Sequence, residues 1–127
     1  MSVRHTNRII RTQGFTLLEI MIVVAIIGLL AAIALPNMAK ARDNSRLNTI
    51  YSNLRQLDSA KERWAIENNI PNGATADLAD LLAYLRGGVL QDVIHETYVP
   101  NPVGTPPTAD LPVKLGPYNA GASIPAP

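Results

Sequence analysis

From Phe15 to Leu35 the chain runs 21 residues in which Thr16 and Glu19 are the only clearly polar side chains. At about 1.5 Å per residue a helix over this run reaches roughly 31 Å, the thickness of a bilayer's hydrocarbon core. A helix buried in a soluble core would keep a polar face, and this one has none beyond its first turn and a half. Past Pro36 the pattern changes period without breaking. Leu47, Ile50, Leu54, Leu57, Ala60 and Trp64 recur at steps of three and four, so one face is apolar and Arg46, Arg55, Asp58, Lys61, Glu62 and Arg63 are left for water. Arg63 and Glu67, four apart, add a weak helix pair. The stretch Asn68-Asn69-Ile70-Pro71-Asn72-Gly73 then ends the helix, because proline restricts the residue before it and Asn-Gly favours a turn. The expectation is one helix over 16–68, a membrane span continued by an amphipathic spine of roughly 80 Å in total.

A second helix is expected at about 75–86. Thr75 would cap it, Asp77 suits its first turn, Leu78, Leu81, Leu82 and Leu85 form one face toward the spine near Trp64, and Gly87-Gly88 stops it. Beyond, the chain becomes rich in Pro and Gly. Thr97 to Val99 and Leu111 to Leu115 read as short strands of a small antiparallel sheet, separated by a Pro-rich connection at 101–107. The tail over 120–127 reads as disordered or draped. The fold class is therefore α+β: a long amino-terminal helix and a small head of one further helix and a few strands.

Composition narrows the chemistry. A length of 127 residues allows one domain, and a formal charge of +1 provides no basic field of the kind that makes nucleic acid a main partner. Cysteine is absent, which removes disulfides, thiol catalysis, cysteine metal sites and a lipid-bearing Cys. His95 is the only histidine outside the first 14 residues, flanked by Asp92 and Glu96, a weak grouping for a metal or a base. No phosphate loop or nucleophile motif accompanies it. An enzyme is not expected, nor is any cofactor.

Orientation in a membrane is a tie by charge: Arg4, Arg8 and Arg11 precede the apolar run, and Lys40, Arg42 and Arg46 follow it. A rival reading takes Ile20 to Leu30 as the apolar region of an ordinary secretory signal and Ala32-Ile33-Ala34 as its cleavage site, releasing a soluble binding module that starts at Leu35. Against it, Glu19 would interrupt the charged front region, and apolar character continues up to the cut.

A basic leader ending in Gly14, followed by Phe15-Thr16-Leu17-Leu18-Glu19-Ile20 and a long apolar helix, resembles the prepilin signal of type IV pilins and of the pseudopilins of type II secretion systems. The resemblance covers about the first third of the chain. It implies a leader at 1–14, a transmembrane and filament-core helix at 15–36, and an extracytoplasmic head at 37–127. It also implies cleavage between Gly14 and Phe15 by a prepilin peptidase, N-methylation of Phe15, and a cytoplasmic amino terminus in the bacterial inner membrane. An inner-membrane assembly platform and other copies of the chain would be its partners in a periplasmic or cell-surface filament. A pseudopilus of protein export and a surface pilus both remain open. Many type IV pilins close their carboxyl-terminal region with a disulfide, which this chain lacks, and some pseudopilins bind calcium there, where this chain has only Asp110 after Glu96.

Under that resemblance the acid inside the apolar run acquires a role. A charge at mid-bilayer costs on the order of 3 kcal/mol, and the new amino group of Phe15 on a neighbouring subunit would pair with Glu19, making it a register key for assembly. The competing reading has Glu19 snorkel to the near headgroups. Gly14 lets a peptidase approach the backbone. Gly28 and Pro36 either mark a stretch that loosens when subunits pack, or serve close packing and a surface kink respectively.

Overall fold

The computed structural model describes residues 14–127, so the leader expected at 1–14 lies outside the described residues apart from Gly14. The chain divides into two compact units, Met1–Asn37 and Met38–Pro127. Its architecture is α+β and pilin-like: α1 (Leu17–Glu67), α2 (Leu78–Leu81) continued by a 3₁₀ turn (Leu82–Tyr84), and β1 (Thr97–Val99), β2 (Thr108–Asp110) and β3 (Ser123–Pro125).

Helix α1 stays helical through Pro36 and ends in a left-handed cap. Asn69 takes φ +54°, Ile70 N–H donates to Ala65 O at 2.8 Å, and Asn69 N–H donates to Ile66 O at 3.4 Å. These are the paired bonds of a Schellman cap, with Asn in the place glycine usually takes. The Asn68 side chain adds a bond to Trp64 O at 2.9 Å.

In the carboxyl-terminal unit the spine face of α1 packs on the sheet. Leu47, Ile50, Leu54 and Leu57 are buried, Trp64 is half-buried against them, and Leu81, Leu111 and Leu115 close the same core. Each fully buried leucine contributes about 1.5–3 kcal/mol relative to exposure. The sheet order is β1-β2-β3, antiparallel throughout. Its register places Tyr98 opposite Ala109 and Ala109 opposite Ile124, so the middle residue of each three-residue strand lies in one buried row. Period-2 alternation turns the flanking residues away from that row.

Several expectations are corrected. The second helix is not continuous over 75–86: its α-helical part is four residues, Asp77 occupies the capping position without a side-chain bond, and Leu82 is exposed. The tightening into a 3₁₀ turn at Leu82 moves that side chain off the apolar face. The second strand is Thr108–Asp110 rather than 111–115, since Pro112 follows Leu111 and cannot donate to a ladder. The tail is not merely draped. Ile124 is 1% exposed, β3 pairs with β2, and Ala126 N–H donates to Pro107 O at 2.9 Å.

Two charged positions on the spine also differ from expectation. Arg63 and Glu67 form no ion pair among the described residues, as is common for long exposed side chains that lose entropy on pairing. Lys61, expected in water, is 1% exposed. Its ammonium donates to Pro100 O at 2.9 Å and to Thr105 O, and lies 3.4 Å from Asp58 Oδ1. The loop between β1 and β2 thus folds over the spine onto a charge that its own carbonyls satisfy.

Candidate functional site

The amino-terminal unit contributes a short entry and an uncovered apolar helix. Thr16 is the entry's organising residue: its Oγ1 accepts the Glu19 N–H at 3.2 Å, and its carbonyl accepts the Ile20 N–H at 3.3 Å. A threonine three residues before a glutamate is the spacing of a capping box, so the sequence itself carries a signal for Thr16. Glu19, at the third position of the helix, is exposed, and its carboxylate accepts no hydrogen bond and joins no ion pair among the described residues. A negative charge in a first helical turn is favoured by the backbone dipole, by about 0.3–1 kcal/mol at exposed sites.

Every residue from Gly14 to Arg42 is exposed. The amino-terminal part of α1 is long and apolar enough to cross a membrane. A Cβ built at Gly14 or at Gly28 meets nothing within 4 Å, so packing among the described residues requires neither glycine. Pro36 sits within α1. Phe15 is 81% exposed, immediately after Gly14. The sequence-derived positions thus fall in two groups. Gly14, Phe15, Glu19, Gly28 and Pro36 lie along the uncovered unit, while Leu47, Ile50, Leu54, Leu57 and Trp64 belong to the core of the other.

The weak grouping around His95 does not converge. His95 Nδ1 meets Asp92 Oδ2 at 2.7 Å on the surface, and the His95 N–H donates to Asp92 Oδ1 at 2.7 Å. Those bonds hold the Asp92 carboxyl below its ordinary range, the His95 backbone N–H being the largest cause. Glu96 turns elsewhere. Its Oε2 accepts the N–H groups of Val93 and Ile94, and its Oε1 accepts the Tyr98 hydroxyl at 2.6 Å. Tyr98 in turn accepts Asn53 Nδ2 at 2.7 Å, and Asn53 also donates to Gln91 O. Burial, then the bond to Glu96, pushes the Tyr98 hydroxyl well above the usual phenol range. This network ties β1 and the preceding loop to the spine, and among the described residues no group of three or more His, Cys, Asp or Glu gathers to hold a metal.

Comparison with known proteins bears on the uncovered unit. Residues 10–35 match the prokaryotic N-terminal methylation motif. The chain is 48% identical over 59 residues to the type IV major pilin protein PilA of Myxococcus xanthus, covering 46% of this chain and 27% of that protein. It is 37% identical over 59 residues to the type II secretion system core protein G of Pectobacterium carotovorum, covering 46% and 38% respectively. It is 36% identical over 69 residues to the type IV wide pilus major component PilA4 of Thermus thermophilus, covering 54% and 53%. The chain therefore spans between about a quarter and a half of the length of these relatives. No solved structure matches it. Over 59 to 69 of its residues, then, this chain is similar both to type IV pilins and to a type II secretion core protein, and its residues 10–35, which include Gly14 and Phe15, match the prokaryotic N-terminal methylation motif.

Proposed function

We propose that this chain is a structural subunit of a type IV pilus or type II secretion pseudopilus. A prepilin peptidase cuts it between Gly14 and Phe15, the new amino group of Phe15 is methylated, and the segment 15–36 anchors it in the inner membrane with its amino terminus cytoplasmic. An assembly platform then packs copies of it into a filament through the apolar helix. The observation that carries this reading is the exposure of every residue in the apolar run Phe15–Leu35. Nothing among the described residues covers it, so lipid first and neighbouring copies afterwards supply the apolar surroundings it needs.

Glu19 is the residue that distinguishes assembly from mere anchoring. Its carboxylate has no partner among the described residues, and in an apolar filament core an unpaired charge is costly. The amino group of Phe15 on a neighbour supplies the opposite charge. The cap on this helix is the bond from the Glu19 backbone N–H to Thr16 Oγ1, so it does not depend on the Glu19 side chain. Glu19→Gln therefore removes the charge and leaves the cap in place. Under charge pairing it is inserted and cut after Gly14 but accumulates as unassembled membrane subunit; if Glu19 only snorkels to the near headgroups, the variant assembles like the parent. Glu19→Leu removes the charge and its polarity while keeping the backbone cap, and Glu19→Asp shortens the reach by one methylene. Sheared filament yield against total membrane-bound subunit reads the result, and normal filaments from Glu19→Gln would refute the pairing role. The mass of the mature amino terminus tests the wider reading: a start at Phe15 supports it, and a start at Leu35 replaces it with a secreted module.

A further inference from the structure

Two adjoining grooves run along the shoulder of α1 in the carboxyl-terminal unit, and they differ in chemistry. The first, of about 830 Å³, lies between the spine over 52–67 and the segment 83–86, and three arginines, Arg55, Arg63 and Arg86, line it. All three are exposed, and none has a carboxylate within 4.0 Å among the described residues; Glu67 is the one acid in the lining. The half-buried Tyr84 adds an aromatic ring to the same wall. The second groove, of about 550 Å³, is lined entirely by uncharged residues, chiefly the amides of Asn44, Asn48 and Gln91 with the hydroxyls of Ser45 and Thr49. Ser52 and Gln56 line both, so the two form one strip with an arginine half and an amide-hydroxyl half. Asn53 holds the wall of the neutral half in place through its 2.7 Å bond to Gln91 O.

We infer that this strip binds an acidic heteropolysaccharide, one in which neutral sugars separate sugars bearing carboxylate or sulfate. The planar guanidinium fork fits a carboxylate or sulfate with two parallel bonds. Amide and hydroxyl side chains both donate and accept, which is what sugar hydroxyls require. Both grooves are open along their length, which suits an extended chain rather than an enclosed small molecule. A nucleic acid fits less well, because its charge on every unit would leave phosphates over the neutral half with no cation to neutralise them. A second copy also fits less well. Contacts between copies are more apolar at their centre, whereas the exposed large apolar residues of this unit, Met38, Ile66, Leu82, Val89 and Val113, lie outside both grooves.

The test uses the full chain in detergent micelles, so that it does not depend on filament assembly. Hyaluronan octasaccharide, which alternates uronate with a neutral amino sugar, is titrated against it by calorimetry beside a dextran of equal length and a single-stranded DNA octamer. Expected is saturable hyaluronan binding that weakens with added salt, and weak or absent binding of dextran. The variant R55Q/R63Q/R86Q should lose at least about tenfold in affinity. N48A should lose a smaller, salt-independent factor, with the thermal transition of Trp64 fluorescence unchanged in both. The inference is overturned by absence of hyaluronan binding, by equal affinity of parent and arginine variant, or by tighter arginine-dependent binding of DNA. It is equally overturned if the arginine substitutions abolish only self-association, which would make the strip a contact between copies.

Discussion

Replacing Lys61 by methionine is the sharpest test of how the carboxyl-terminal unit holds together. The substitution keeps an unbranched stem of similar volume in the core and removes only the ammonium. That ammonium bonds Pro100 O at 2.9 Å and Thr105 O, and it approaches Asp58 Oδ1 at 3.4 Å. A hydrogen bond to a charged group is worth about 1.5–3 kcal/mol, so losing two costs about 3–6 kcal/mol before any offset. The methionine recovers part of this because no charge must then be desolvated, which leaves a net loss of about 2–4 kcal/mol. Against a typical total of about 5–15 kcal/mol that is a large share. Urea unfolding of the full chain in micelles, followed by Trp64, the only tryptophan and one that packs against the core, should show the midpoint fall by about 2 M with the slope unchanged. The Asp58 side chain is 40% exposed, so Asp58→Asn should cost under about 1 kcal/mol. If Lys61→Met unfolded within about 0.5 kcal/mol of the parent, the view that this lysine clamps the β1–β2 loop onto the spine would be wrong.

Other outcomes follow from the same core. Asn53→Leu leaves Gln91 O and the Tyr98 hydroxyl without their donor and should cost about 2 kcal/mol by the same urea assay. Gly116 has φ +56°, and a Cβ there would meet Leu47 Cδ1 at 3.0 Å, so Gly116→Ala should lower stability by about 1–2 kcal/mol. Above pH 10 an unfolded tyrosine loses its proton while the folded Tyr98, with its raised pKa, keeps it. The stability Tyr98 contributes is thus complete below pH 10 and is lost as pH rises past it. Between pH 9 and 11 Tyr98→Phe should flatten part of that fall in a series of urea midpoints; an unchanged slope would count against the burial of its hydroxyl.

What the sequence determined by itself is whatever rests on local periodicity and short spacing. The apolar run of 15–35, the three-and-four repeat from Leu47 to Trp64, and the Gly14-Phe15 step with Glu19 are all legible without coordinates, because a helix repeats every 3.6 residues and a motif such as the N-terminal methylation motif is a linear string. The capping role of Thr16 was equally legible in the spacing of Thr16 and Glu19. Tertiary structure decided what depends on residues far apart in the chain. Lys61 is buried because the carbonyls of Pro100 and Thr105, some forty residues on, arrive to satisfy its charge; on the helix alone it stands with the other cations. Arg63 beside Glu67 has the right spacing for a pair, yet side-chain entropy leaves it unmade. The tail carries one Ile between Ser123 and Pro125, too little pattern to announce a strand, and only the free edge of β2 makes it one. The arginine and amide strip belongs to this second class, since Arg86 and Gln91 reach the spine only when the chain folds back over it. Short strands bury one side chain each, and one side chain has no period to read.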